Sequence, residues 1–225
     1  MRRLSVGRRW VGGILLGIAF TGTARAQSEF VDISAIPGVR IDLRYASTNN
    51  FLGVNLYGSF TTPYLHRKAA EKLAKAAALL QQEKPGWSLL VLDALRPRSV
   101  QRIFWAKVKG TPAQIYVADP DLGSIHNYGF AVDITLADAN GKEVDMGTPH
   151  DSFDSLAQPQ LEEKYLAAGR LTRQQYANRL VLRDAMTKAG FIQLPFEWWH
   201  YDALPRSEIE GGYRIVEEFP PTKSN

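Results

Sequence analysis

Residues 196–202 read Phe-Glu-Trp-Trp-His-Tyr-Asp, which sets a carboxylate, Glu197, three residues ahead of an imidazole, His200, with two tryptophans between them. In a metal site the histidine is a ligand, the glutamate a base, and the aromatic walls keep bulk water away. The same residues are also compatible with a half-buried strand, where Trp and Tyr among polar neighbours are ordinary. Residues three apart fall on opposite faces of a regular strand, so a joint role for Glu197 and His200 predicts irregular backbone there. The choice depends on partners elsewhere in the chain.

The chain has only four histidines, at 66, 126, 150 and 200. A catalytic zinc takes three protein ligands and keeps one position open. His126 sits in a turn, Ser-Ile-His-Asn-Tyr-Gly, and Asp133 in the strand that follows, with Gly129 letting the chain bend between them. His200 would complete a His-Asp-His set. Asp133 lies in Phe-Ala-Val-Asp-Ile-Thr-Leu, and a carboxylate in so apolar a strand is costly unless a cation meets it. That cation is either a metal ion or a guanidinium such as Arg96. With His200 as ligand, Glu197 would hold the water as general base and later act as general acid. The tryptophans would pack the surroundings and limit water access. His66 is expected on a helix surface, without a chemical role.

These residues need elements to position them. Val39–Thr48 alternates apolar and polar residues and predicts a strand, followed by a Gly-rich loop over 49–58. Thr62-Pro63 has the form of an N-cap with proline at the first helical position, so a helix is expected over 64–83, stopping near Pro85-Gly86. Trp87–Ala94 reads as a buried strand and Arg98–Val108 as a second helix. Phe130–Asp138 reads as a strand, running into a hairpin around Asn140-Gly141. A helical region follows from Pro159 to Lys188, broken near Gly169, restarted by Thr172 and closed by Gly190. Phe191–Ala203 and a short Tyr213–Phe219 segment are the last elements, and there is no repeat or linker.

Bulk properties narrow the class. The first ten residues are basic and free of acids, an apolar stretch follows, and Ala24-Arg25-Ala26 fits a small-residue cleavage signal. Residues 1–26 are therefore expected to be a signal peptide, the apolar stretch being too short and too glycine-rich for the ~20-residue span of a membrane anchor. The net charge of +4 lies in this leader, which holds five arginines and no acid; the remaining chain has 22 basic and 23 acidic residues. A net charge of −1 gives no basis for nucleic-acid or membrane-surface binding. With no cysteine in the chain, disulfides, thiolate catalysis, cysteine-ligated zinc and lipoprotein anchoring are excluded. Residues 27–225 are long enough for one domain with a substantial core.

Taken together, Ser124-x-His126-x-x-Gly129-x-Ala131-x-Asp133 and Glu197-x-Trp199-His200 resemble the zinc D-alanyl-D-alanine dipeptidases of the VanX type. Residues 43–51, 92–106 and 146–153 extend the likeness in the same order over nearly the whole mature chain. The resemblance implies a single α+β domain of the hedgehog/D,D-peptidase type, an antiparallel-rich sheet with flanking helices around a narrow cavity for one zinc ion. It implies His126, Asp133 and His200 as metal ligands, Glu197 as catalytic base and Arg96 as the group that stabilises the tetrahedral intermediate. A planar, permanently charged guanidinium suits that last role, although Arg96 could instead be a structural partner of Asp93. By matching position, Asp151 and Tyr45 would meet the substrate ammonium, and Ser124 and Tyr57 its carboxylate. Two departures stand out: the loop from Phe51 to Gly58 is shorter than the family pattern, and His150 replaces an aromatic residue and is expected as an exposed loop histidine.

The resemblance thus implies hydrolysis of free D-alanyl-D-alanine to two D-alanines by metal-activated water. The alternatives are a zinc D,D-carboxypeptidase or endopeptidase acting on peptidoglycan stems, and a non-catalytic zinc module that binds cell-wall peptides. Neither nucleic acid nor stable membrane insertion is expected. The leader points to export, with a periplasmic location, and export favours turnover of wall dipeptides over glycopeptide resistance.

Overall fold

The computed structural model describes residues 29–219; the expected leader, residues 1–26, lies outside them. In chain order the elements are β1 (Phe30–Asp32), β2 (Val39–Ile41), β3 (Tyr64–His66), α1 (Arg67–Glu83), β4 (Ser88–Asp93), α2 (Arg98–Val108), β5 (Ala131–Ala137), α3 (Glu162–Ala167), α4 (Arg173–Lys188), β6 (Ile192–Gln193), β7 (His200–Asp202) and α5 (Arg206–Ile209). Five strands form one sheet in the order β2-β4-β5-β7-β6. Only the β2–β4 pair is parallel, so the sheet is antiparallel-rich, as expected. β1 and β3 make a separate antiparallel pair. Among the described residues no helix is long and apolar enough to cross a membrane.

The apolar runs of β4 and β5 make them the centre of the sheet. Leu89 and Val91 of β4, with Val132, Ile134 and Leu136 of β5, face the main core, which α1 and α4 complete through Leu73, Leu80, Leu182 and Met186. Each of these side chains is almost fully buried, worth about 1.5–3 kcal/mol apiece in area removed from water. A smaller cluster under α2 gathers Tyr45, Tyr57, Phe60 and Phe104.

One irregularity in this sheet decides where the chemistry sits. Leu89 pairs with Leu136 and Val91 with Ile134, but the register then shifts so that Asp93 pairs with Asp133. An unbroken ladder would set Asp93 opposite Val132, on the face covered by helices. The extra residue at Leu92 moves it to the other face. Because Asp133 also pairs with His200, the bulge brings Asp93, Asp133 and His200 into one row across three strands.

Several sequence expectations need correction. The first helix starts at Arg67, and its N-cap is His66, whose Nδ1 accepts from the Lys68 N–H at 3.3 Å. Tyr64–His66 is instead β3, because pairing with β1 buries Leu65 completely, which outweighs the Thr62-Pro63 capping signature. His66 is therefore buried and stacked on Phe130 at 4.3 Å between centroids, not on a helix surface. The strand expected over 39–48 ends at Ile41, where a 3-10 turn at Arg44–Ala46 buries Tyr45 in the smaller cluster. Tyr213–Phe219 forms no strand; it lies as a strap whose Val216 N–H donates to Asn127 and whose Val216 and Glu217 carbonyls accept from the start of α2. The second helix, the bend at Gly129 and the Thr172 restart stand where expected; the structure adds that Gly129 is a left-handed cap and that Thr172 opens a capping box.

Candidate active site

His126, Asp133 and His200 converge. His126 Nε2 lies 3.2 Å from His200 Nδ1 and 3.3 Å from Asp133 Oδ1, and His200 Nδ1 lies 3.1 Å from the same oxygen. A tetrahedral ion with ligands at ~2.0–2.1 Å holds them about 3.3 Å apart, so this triangle has the right size. The outward nitrogens fix the tautomers: His126 Nδ1 sits 2.7 Å from the Ala94 carbonyl, and His200 Nε2 sits 2.9 Å from Asp202 Oδ1. Both partners accept, so those nitrogens carry the protons and the facing ones present lone pairs. Two lone pairs and a carboxylate oxygen aimed at one point repel one another unless a cation sits between them. Without the ion, a proton substitutes: although burial disfavours charge on His200, Asp202 and Asp133 hold its pKa well above the ordinary imidazole value. The donor set fits a divalent metal ion, and these three residues form a candidate metal site.

The other oxygen of Asp133 is held from behind, with Arg96 Nη2 at 3.4 Å and His150 Nε2 at 3.3 Å. Arg96 is itself clamped by Asp93, which takes Nε at 2.9 Å and Nη2 at 2.6 Å, while Nη1 donates to Gln101 at 3.1 Å. Arg96 is thus paired with Asp93, as the structural reading expected, and it also lines the cavity. Tyr57 does not line the cavity; its hydroxyl donates to the far oxygen of Asp93. Tyr57, expected at the substrate carboxylate, stands behind the Asp93–Arg96 pair in the smaller cluster.

At the cavity's other side, Tyr45 donates to both oxygens of Asp151, at 2.9 and 3.0 Å. Burial pushes the Asp151 carboxyl up from its ordinary value, with His150 pulling it back. Asp151 is also the only non-glycine residue with positive φ, +61°, among the described residues, a strained position that its partners must hold. His150 is not an exposed loop residue. Its side chain is 4% exposed, lies 3.2 Å from Asp151 and packs against Trp199 and Tyr45. Two carboxylates on either side draw it inward.

Glu197 and His200 meet as expected from irregular backbone: the His200 N–H reaches back to the Glu197 carbonyl at 3.4 Å, and a turn over Trp198-Trp199 leads into β7. Glu197 Oε2 lies 3.9 Å from His200 Nδ1. Burial pushes the Glu197 carboxyl up to about 7, against the pull of His200, which is where a general base is most effective. The two tryptophans divide the work. Trp198 is buried and anchors the turn, its N–H donating to Ala157 and its indole to Thr148 Oγ1 at 2.8 Å. Trp199 lines the cavity.

The cavity has a volume of about 320 Å³, the small end of the ~300–1,000 Å³ usual for ligand sites. Ser124 lines it as expected; its Oγ accepts from the His126 N–H at 3.3 Å. Sequence reasoning missed Asp202, Gln101 and Arg206. Asp202 was legible in principle, since residues two apart on β7 share a face with His200; the other two come from helices whose placement no local pattern encodes.

Residues 26–214 match the family model of the M15 peptidases, described as D-ala-D-ala dipeptidase. The chain is 34% identical over 181 residues to the D-alanyl-D-alanine dipeptidase of Escherichia coli K12, covering 80% of this chain and 86% of that protein. It is 32% identical to the D-alanyl-D-alanine dipeptidase of Enterococcus faecalis, over 74% of this chain and 87% of that one. With the Streptomyces coelicolor enzyme of the same name it shares 30% identity, over 76% and 89%. The match spans every residue of the convergent site, from Tyr45 to Arg206, in a metal-dependent peptidase family. The chain belongs to the D-ala-D-ala dipeptidase family of M15 peptidases.

Proposed function

We propose that the protein is a zinc-dependent dipeptidase that hydrolyses free D-alanyl-D-alanine to two D-alanines. The observation that carries this reading is one small cavity in which a metal-sized His-Asp-His triangle, a carboxyl poised near neutrality and a tyrosine-held aspartate face one another. His126, Asp133 and His200 would hold the zinc ion. When bound, the ion supplies Lewis-acid chemistry, acidifying water and polarising an amide carbonyl.

The remaining roles belong to the chain itself. Asp151, oriented by Tyr45, takes the substrate ammonium through a charge-assisted hydrogen bond. Ser124 contributes a hydroxyl to the carboxylate end. Glu197 removes a proton from the attacking water and returns it to the leaving amine, a role suited to a carboxyl that burial raises above its ordinary value. Arg96 donates three of its five N–H bonds to Asp93, Asp133 and Gln101, with Asp93 also pairing its Nη2, so it arrives rigid, with two hydrogens left for a developing oxyanion and no reorganisation needed. Trp199 and His150 close the wall behind the reacting groups.

The test is to incubate purified protein with D-alanyl-D-alanine and with a stem pentapeptide, each with and without chelator, and to measure free D-alanine. Release from the dipeptide alone, abolished by chelator and restored by zinc, is the expected outcome. Release from the pentapeptide would favour a carboxypeptidase, and release from neither a binding module. We further propose that residues 1–26 direct export and that the enzyme recovers alanine from wall dipeptides outside the cytoplasm. Sequencing the N-terminus of the protein recovered from a periplasmic fraction tests this, with cleavage after Ala26 expected.

A further inference from the structure

The cavity wall carries four carboxylates, Asp133, Asp151, Glu197 and Asp202, and only two guanidiniums, Arg96 and Arg206, among the described residues. Even with an ion on the His-Asp-His set, a dipeptide zwitterion entering such a cavity needs a cation with unspent donors where its carboxylate sits. Arg96 cannot serve at that end as well, because Asp93, Asp133 and Gln101 hold three of its five N–H bonds and, on the reading above, the developing oxyanion takes what is left. Arg206 can. Its Nη2 donates to the Gly123 carbonyl at 3.0 Å and its Nη1 to Glu210 at 2.8 Å. That leaves Nε–H and one hydrogen on each terminal nitrogen without a partner among the described residues. The bond to Gly123 ties the guanidinium to the residue next to Ser124.

We infer that Arg206 is a specificity-determining residue that reads the free carboxylate of the substrate, working beside Ser124, so that the cavity gauges a dipeptide by charge at both ends. This rests on the dipeptidase reading above. Asp151 selects against peptides extended at the amino side, and Arg206 against those blocked or extended at the carboxyl side. Arg206 is 43% exposed, so its attraction is screened by solvent and the effect is modest.

The experiment is calorimetric binding of D-alanyl-D-alanine and of its C-terminal amide to zinc-loaded Glu197→Gln protein, with and without Arg206→Gln. Arg206→Gln should weaken binding of the acid roughly two- to fivefold, in line with one partly exposed ion pair, and leave the amide unchanged. Arg206→Lys, which keeps the charge without the fork, should recover part of the loss. Equal weakening of acid and amide would show that Arg206 merely holds the Gly123 loop, and would overturn the inference. So would acid binding that does not respond to the substitution. A wild-type turnover assay run alongside separates the two claims, since absence of hydrolysis there sinks the dipeptidase reading while the acid-versus-amide comparison still decides the role of Arg206.

Discussion

Burial holds the Glu197 carboxyl of the metal-free protein at about 7, against an ordinary value of 4.5. Between those two values the folded protein keeps a proton that the unfolded chain has released, so stability falls as pH rises through the window and stays lower above it. Glutamine cannot ionise and removes the penalty. Metal-free Glu197→Gln should therefore match wild type near pH 4 and exceed it at pH 8 by up to about 3 kcal/mol, measured by denaturant unfolding in chelator. The same substitution should lower turnover by more than the 10²–10⁴-fold typical of a lone acid-base group, because the water also loses its anchor. Stability and activity thus pull on this side chain in opposite directions. His150 tests the surroundings of the ligands in another way. Phenylalanine would keep the packing on Trp199 and Tyr45 and delete the contacts to Asp133 and Asp151. His150→Phe should weaken zinc retention by about tenfold, the low end for partners of metal ligands, in a chelator competition.

At the scale of elements, turns set the site more than strands do. Gly129 caps the 3-10 turn of His126 at φ +70°, and a Cβ there would sit 2.8 Å from Phe30 and 3.0 Å from the His66 backbone nitrogen. Gly129→Ala should cost at least ~1–3 kcal/mol through the backbone strain and this clash, lower the unfolding midpoint, and loosen His126. Gln175 closes the capping box of α4 and also donates to Asp145 at 2.9 Å; Gln175→Ala should cost about 1 kcal/mol. These motifs also show why legibility was uneven. Gly129, the Thr172 box and the irregular Glu197–His200 turn depend on local chemistry, and local patterns reveal them. The candidate ligands were legible because a carboxylate inside an apolar strand demands a cation. The bulge at Leu92 was not, since nothing in Leu-Leu-Val-Leu-Asp marks where the register slips. Nor was β3, where a capping signature lost to long-range pairing with β1. His150 was misplaced for a similar reason, its burial being decided by Asp133 from β5 as well as by its neighbour Asp151.

For the molecule as a whole, the site concentrates negative charge at the centre of the sheet, and protons and metal compete to balance it. In the metal-free state His200 is raised by Asp202 and Asp133, and His150 by Asp151 and Asp133, against the opposing effect of burial; Glu197 is raised by burial itself. For the two histidines, the stability gained is complete below the ordinary value of 6.5 and lost as pH rises through the folded value. For Glu197 it is lost between 4.5 and about 7. All three therefore make the metal-free protein less stable as pH rises through neutrality. Bound zinc would act in the opposite sense, because its ligands must be deprotonated and its uptake would release protons. The difference in melting temperature between zinc-loaded and chelated protein should consequently widen from pH 5.5 to pH 8. At a thousandfold excess over the dissociation constant the bound ion adds about 4 kcal/mol, a large share of a stability of ~5–15 kcal/mol. Paired thermal scans across that range measure it, with proton release followed by calorimetry in buffers of different ionisation enthalpy. A gap that stays constant or narrows with pH would mean that His126, Asp133 and His200 do not share one ion.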